Sequence, residues 1–343
     1  MEIGEINTSV GVIKKISTTL SLKDKIDGCK VRWGINRFNY TVPTGIYAVG
    51  NPGDKAPVLV TADYKLTFDL LRKELSGLDL WILVIDTKGI NVWCAAGKGT
   101  FGNYELLKVL NKVKLKELIS HNTLILPQLG APGIAAHVIK KAGFQVVYGP
   151  VRAEDIREFL GNGMVKTESM KRVRFDFKDR LVLTPMEFIP DLKYAAPFLP
   201  LIFIFNLLII SNKTIGEIVI LTLINYIPLF IALVAGSVLV PILLPYVPFR
   251  AFSLKGLTLG LIWSFAFYKI YSLFLIPDSI LVKIAYICYI LFISSYSALQ
   301  FTGSSTYTSL SGTTKETIAS IIWGGLLCVV GTLLLISYKL MMG

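Results

Sequence analysis

Five long apolar runs, at about 195–211, 215–240, 254–275, 280–301 and 317–338, constrain the second half of this chain more than anything else in it. The hydrocarbon core of a bilayer needs about 20 apolar residues of helix. Most of the runs reach that length, and the first is at the short end. In hydrocarbon, each backbone N–H and C=O must find its partner within the segment or in a closed barrel, so runs this long and continuous predict helices. A hydrophobic content of 53% and a mean hydropathy of +0.60 fit a membrane protein with a soluble part. Pro228, Pro241 and Pro245 predict a kink or an end in the second run. Lys269, mid-run between Tyr268 and Tyr271, is a charge in a costly place and predicts a bundle interior or a polar cavity.

The net charge of +12 fits either nucleic acid or an anionic membrane face. The apolar half decides for the membrane and against nucleic acid. Basic residues are dense just before the first run: Lys166, Lys171, Arg172, Arg174, Lys178 and Arg180, against Glu168, Asp176 and Asp179. The plain reading is a solvated β-hairpin face. The functional one is contact with anionic lipid headgroups, at about 1 kcal/mol per basic residue. A linker through Pro185, Pro190, Pro197 and Pro200 then enters the membrane. Residues 1–5 lack the basic and apolar regions of a signal peptide, and loop cations (Arg250, Lys255 and Lys315 against Lys213 and Lys283) lean the same way. The expectation is a multi-pass protein of a prokaryotic inner membrane with its first domain in the cytoplasm.

The first half alternates. Residues 57–61 and 81–85 read as buried strands and 123–126 and 145–148 as strands; 67–73, 104–118, 134–141 and 153–160 have helical spacing. Residues 10–13 read as a further strand and 23–37 as a solvated basic surface. Four strands alternating with helices predict right-handed crossovers and a mostly parallel sheet. The fold class is therefore α/β, a Rossmann-like parallel-sheet domain, followed by an all-α five-helix transmembrane domain. The domains expected are 1–165, a basic juxtamembrane linker at 166–193, and 194–343. Loops at 61–64, 128–133 and 148–152 would leave one edge of the sheet, where α/β folds hold ligands.

The stretch Asn91-Val92-Trp93-Cys94-Ala95-Ala96-Gly97-Lys98 follows the strand at 81–85. A free cysteine is most often a small buried hydrophobe. Here Trp93 and Lys98 flank it, and a nearby cation favours the thiolate, the form that ligates metals. Gly97 and Gly99 admit a close, flat ligand. The four cysteines, Cys29, Cys94, Cys288 and Cys328, show no C-x-x-C spacing. That speaks against a structural zinc site, an internal iron–sulfur cluster or a disulfide framework. Residues 97–102 spell G-x-G-x-x-G, but about a dozen residues separate them from their strand, and no acidic residue ends a strand about 20 residues later. Lys98 is followed by Gly99, so this is no P-loop either. His121 and His137 make no zinc pattern with these cysteines.

The string NVWCAAGK resembles the signature of the mercury-methylating corrinoid proteins, membrane relatives of the corrinoid iron–sulfur protein of the acetyl-CoA pathway. Residues 32–37, 40–43 and the polar 301–313 also resemble that family. The resemblance implies a cobalamin or related corrinoid, with Cys94 on a cap helix as lower axial ligand of cobalt and as the catalytic residue. It implies a cradle of Thr61, of Asn91, Val92, Trp93, Ala95, Gly97 and Lys98, of Gly130, Ala131, Pro132 and Gly133, and of Tyr148, Gly149, Pro150 and Arg152. The D-x-H-x-x-G signature of His-ligated cobalamin proteins is absent, which fits such a cobalt. The activity implied is methyl transfer to Hg(II). Hg(II) is an electrophile, so the methyl must leave as a carbanion or radical, and a thiolate trans to it favours that departure. Also implied are a ferredoxin-like partner with two 4Fe–4S clusters and a methyltetrahydrofolate-dependent methyl supply. The alternative is a membrane-bound methyl carrier of one-carbon metabolism with another acceptor. Cys288 and Cys328 read as packing residues or as way-stations for the metal.

Overall fold

The computed structural model describes residues 1–209, 213–274, 278–305, 308 and 310–342. It forms two compact units, Met1–Val173 and Arg174–Gly343.

The first unit is a seven-stranded sheet in the order β1-β2-β3-β5-β4-β6-β7. Its strands are β1 (Glu2–Thr8), β2 (Gly11–Ile16), β3 (Gly45–Val49), β4 (Val58–Ala62), β5 (Leu80–Ile85), β6 (Thr123–Leu126) and β7 (Gln145–Tyr148). The four strands expected to alternate with helices form the parallel part, β5-β4-β6-β7, with β7 only half-buried at its edge. Every residue of β4 and β5 is buried. That is why these strands read as continuous apolar runs, with helices covering both faces. Three strands extend the sheet beyond the expected four: the β1–β2 hairpin, of which only residues 10–13 were legible, and β3, antiparallel to β5.

Seven helices accompany the sheet: α1 (Leu22–Arg32), α2 (Lys65–Lys73), α3 (Val92–Lys98), α4 (Asn103–Lys112), α5 (Leu115–Leu118), α6 (Ala136–Lys141) and α7 (Ile156–Gly161). Phe68, Leu71, Leu75 and Phe159 cover one face of the sheet; Ala95, Ala96, Leu106, Val109 and Ile139 cover the other. The helix expected over 104–118 is two helices, broken where Lys114 takes a left-handed φ of 48°. The basic 23–37 stretch is not a bare surface. It opens as α1, with a capping box between Ser21 and Asp24.

A buried ion network locks α1 and the hairpin to α2. The Arg72 side chain, fully buried, donates to Asp24, Asp69 and the carbonyls of Ser17 and Thr19; Lys65 donates to Asp24, Asp69 and the Tyr40 hydroxyl. Burial works against the Asp24 charge, yet hydrogen bonds from Lys65 and Ser21 outweigh it and hold the carboxyl well below the usual carboxylate range.

The second unit is all helical: α8 (Phe177–Ala195), α9 (Phe198–Ile209), α10 (Ile215–Val234), α11 (Val240–Ile242), α12 (Phe252–Ile270), α13 (Ile280–Gln300) and α14 (Leu310–Met342). Among the described residues four stretches are long and apolar enough to cross a membrane: Phe177–Leu208, Ile215–Ile242, Ile280–Gly303 and Ser311–Met341. The fifth expected span, 254–275, is the 19-residue α12, which holds Lys255 and Lys269 and is not among those four. Gly256 and Gly260 let α12 approach α13 at Ser294, where any side chain would collide; small residues at helix contacts do this in membranes.

Several local expectations change. Pro185 and Pro190 lie inside α8, not in an extended linker. The charged 166–180 stretch contains a 3₁₀ turn, Ser169–Lys171, and the start of α8, with no hairpin. Helix α10 runs through Pro228 and gives way only at a π turn, Ala235–Leu239. Lys269 is exposed in the last turn of α12, over the Phe265 ring at 5.6 Å. The buried cation of α12 is Lys255, whose Nζ donates to the carbonyls of Leu244 and Val247. In the polar stretch at 301–313, residues 306, 307 and 309 lie outside the described residues; Thr302 and Ser305 are buried around a 3₁₀ turn.

Candidate functional site

The carboxyl ends of β4, β5, β6 and β7 share one edge, with Ala62 beside Ile85 and Leu126 beside Tyr148. Among these parallel strands the spatial order is second, first, third, fourth. The chain therefore reverses direction across the sheet between β4 and β6, the crevice where doubly wound sheets hold ligands.

Asp63 secures this edge. It is 6% exposed and accepts from the Thr87 hydroxyl at 2.5 Å, from Thr87 N–H at 3.1 Å and from Gly89 N–H at 3.2 Å. The Thr87 hydroxyl also lies 2.7 Å from the Ile90 carbonyl oxygen. One carboxylate thus ties the loop after β4 to the loop after β5, and sets where α3 begins. Gly89 has φ of 68°, and a side chain there would collide with the Phe38 carbonyl, so the turn excludes other residues.

Asn91 caps α3, its side-chain oxygen accepting from Cys94 N–H at 2.9 Å. The helix ends at Gly99, in the left-handed conformation at φ 78°. Between these caps the residues divide cleanly. Val92, Ala95 and Ala96 face the core; Trp93, Cys94, Gly97 and Lys98 are exposed. Nothing in the protein approaches the space a Gly97 side chain would occupy. A glycine inside a helix costs about 1 kcal/mol relative to alanine, and packing here gives no reason for it. The thiol therefore stands on an open face where Gly97, three residues on, leaves no side chain between it and Lys98.

The loop after β6 supports α3 from below. A side chain on Gly130 would strike the buried Phe101 ring, and one on Gly133 would meet the Phe101 carbonyl and the Ala96 backbone. Asn103 accepts from Ala135 N–H at 2.9 Å, and Tyr148 donates its hydroxyl to the Ile134 carbonyl at 2.9 Å. Burial raises the Tyr148 hydroxyl above its ordinary pKa, so it stays a donor. Gly130 and Gly133 thus act through backbone fit, while Ala131 and Pro132 complete the same 3₁₀ turn, Gln128–Gly133. Gly149 and Pro150 are buried after β7, where Gly149 N–H donates to the Leu126 carbonyl at 2.8 Å. Arg152 lies 3.7 Å from Glu154. Thr61 is 2% exposed within β4; it belongs to the strand, and the exposed positions of the edge lie beyond it.

Sequence reasoning missed Asp63, Thr87 and Phe101 as supports. Asp63 was legible only as part of a loop. Its function depends on β4 and β5 being neighbours, which no local pattern states. Lys166 was assigned to the basic run, yet it donates to Gln128 at the start of the β6 loop. Burial, then the nearby Lys171, pushes its ammonium below the usual lysine range.

Residues 36–160, the part that carries this edge, match the family of the CO dehydrogenase/acetyl-CoA synthase delta subunit. Related proteins include the acetyl-CoA decarbonylase/synthase complex subunit gamma of Methanopyrus kandleri, 29% identical over 37% of this chain and 28% of its own length. The subunit gamma of Archaeoglobus fulgidus is 28% identical over 36% of this chain and 28% of its own. Subunit gamma 2 of Methanosarcina thermophila is 34% identical over 34% of this chain and 25% of its own. The chain is thus a distant relative of these subunits across the sheet domain, and spans about a quarter of their length. The apolar helices from Phe177 onward lie outside the match.

Proposed function

We propose that the chain is a membrane-anchored corrinoid methyltransferase that delivers a methyl group to Hg(II). The observation that carries this reading is the placement of Cys94. The thiol lies on the exposed face of a capped helix at the carboxyl edge of a parallel sheet, with the bare Gly97 one turn on. The donor set fits a corrinoid: a soft sulfur ligand on a surface flat enough for a macrocycle. When bound, the corrinoid supplies a methyl group on cobalt, which Hg(II) would take with its bonding electron pair. Cys94 would be the residue that holds the cobalt, through its sulfur. Trp93 would lie against the ring, and Lys98 would meet a ring amide. The turns at 130–133 and 148–152 would border the cofactor through backbone atoms. The similarity to acetyl-CoA decarbonylase/synthase subunits supports the corrinoid, and the match of NVWCAAGK supports mercury as acceptor.

On this reading residues 1–165 hold the cofactor on the cytoplasmic side of a prokaryotic membrane. The basic stretch before α8 meets anionic headgroups, and the helices from 194 onward anchor the protein. A ferredoxin-like protein with two 4Fe–4S clusters would return the centre to its reduced form. A methyltetrahydrofolate-dependent reaction would recharge it. A second reading, a methyl carrier of one-carbon metabolism with another acceptor, is favoured by the names of the related subunits.

The test loads purified protein with methylcobalamin, adds Hg(II) with a competing thiol and quantifies methylmercury against Cys94→Ala. Product from the wild type alone is expected. Bound corrinoid with no product from either protein would move the assignment to the second reading.

A further inference from the structure

The helical unit holds a half-open cavity of about 940 Å³ between α8, α9, α10, α13 and α14. Small-molecule sites run from about 300 to 1,000 Å³, so this volume admits a ligand far larger than a few waters. The wall is mostly apolar and aromatic, with Phe205, Tyr226, Tyr286 and Tyr289 among its residues. Two buried acceptors interrupt it. Asp191 is 7% exposed and Asn225 2% exposed, and both line the cavity. Among the described residues, neither Asp191 Oδ2 nor Asn225 Oδ1 has a hydrogen-bond partner.

Other polar groups that line the cavity, or lie beside it, are satisfied. Asn206 Nδ2 donates to the Thr222 hydroxyl at 3.0 Å, and that hydroxyl donates to the Ile218 carbonyl at 2.8 Å. Asp191 and Asn225 differ in presenting free acceptors to a shared space. Intramembrane carboxylates are costly and mark ligand or ion paths. A carboxylate among aromatic faces attracts a cation. The size of the cavity and its apolar, aromatic wall suit an organic cation, and among the described residues no three His, Cys, Asp or Glu side chains gather to hold a metal. Asn225 Oδ1 asks for a further N–H or O–H donor. Lys213, just before the N-cap of α10, also lines the cavity, and α10 rises roughly 15 Å from Ile215 to Asn225, which makes the cavity long.

We propose that this cavity binds an amphipathic primary amine. The ammonium pairs with Asp191, a donor near the head reaches Asn225, and the apolar body lies along the aromatic wall. Two sources share this chemistry: a lipid with an aminoethyl headgroup and a free long-chain amine.

Native mass spectrometry of the full chain, released from phosphatidylcholine nanodiscs, tests it. One arm adds dodecylamine or dodecanol, which share a tail and differ in charge. The other includes phosphatidylethanolamine at low mole fraction. A charge-assisted hydrogen bond corresponds to about tenfold or more in occupancy. Dodecylamine should be retained about tenfold over dodecanol if the source is a free amine. Phosphatidylethanolamine should be enriched similarly over phosphatidylcholine if it is a lipid. Asp191→Asn and Asn225→Leu should each lower that retention, and Glu187→Gln, one turn earlier on α8 and off the cavity wall, should not. Asn225→Leu keeps the test standing if Asp191→Asn does not fold. Equal retention of amine and alcohol with no enrichment of phosphatidylethanolamine, or retention unchanged by Asp191→Asn and Asn225→Leu, overturns the proposal.

Discussion

At the scale of single residues, the proposed site rests on one thiol, one glycine and one carboxylate. Gly97 separates a fold requirement from a ligand requirement. Because a side chain there meets nothing in the protein, Gly97→Leu should leave the urea midpoint unchanged or raise it, by up to about 1 kcal/mol of helix propensity. The same change should sharply weaken corrinoid binding, measured by retention of the cobalamin absorbance through gel filtration. Retention equal to wild type would place the ring elsewhere. Asp63 has the opposite profile. It touches no open surface, but Asp63→Ala orphans the donors of Thr87 and Gly89. A loss of about 2–4 kcal/mol is expected in urea unfolding.

At the scale of elements, α3 is a seven-residue helix, too short to be stable alone. It persists because Val92, Ala95 and Ala96 are buried and both ends are capped. Asn91→Ala should cost about 1 kcal/mol and, in the corrinoid-loaded protein, alter the cobalt absorption spectrum, because the cap bond ends on Cys94 N–H itself. An unchanged spectrum would detach the cap from the ligand. The Gln128–Gly133 turn is the second necessary element: its glycines exist so that Phe101 and α3 can sit against backbone.

At the scale of the whole molecule, the sheet unit and the helical unit each close their own cores. In the first, the network of Asp24, Lys65, Asp69 and Arg72 couples the N-terminal hairpin to the parallel sheet. Asp24 has a folded pKa held below its unfolded value of about 3.9. Its contribution is therefore complete above that value and is lost as pH falls through it toward the folded pKa. The urea midpoint of the wild type should drop between about pH 6 and pH 3 by more than that of Asp24→Asn. Equal drops would show that the network does not govern acid stability.

The sequence by itself determined the helical second half, the four parallel strands and the stretch around Cys94. Hydrocarbon and a doubly covered sheet both demand unbroken apolar runs, and such runs are visible locally. It left out β1 and β3, whose short mixed sequences become strands only because β2 and β5 offer them edges. Two prolines read as a linker lie within α8, since a long helix can absorb a proline that a local rule treats as a break. Tertiary structure alone decided which way α3 faces, that Asp63 ties two loops together, and that Asp191 and Asn225 open onto one cavity. Each of these joins residues far apart in the chain, and only packing decides which distant residues meet.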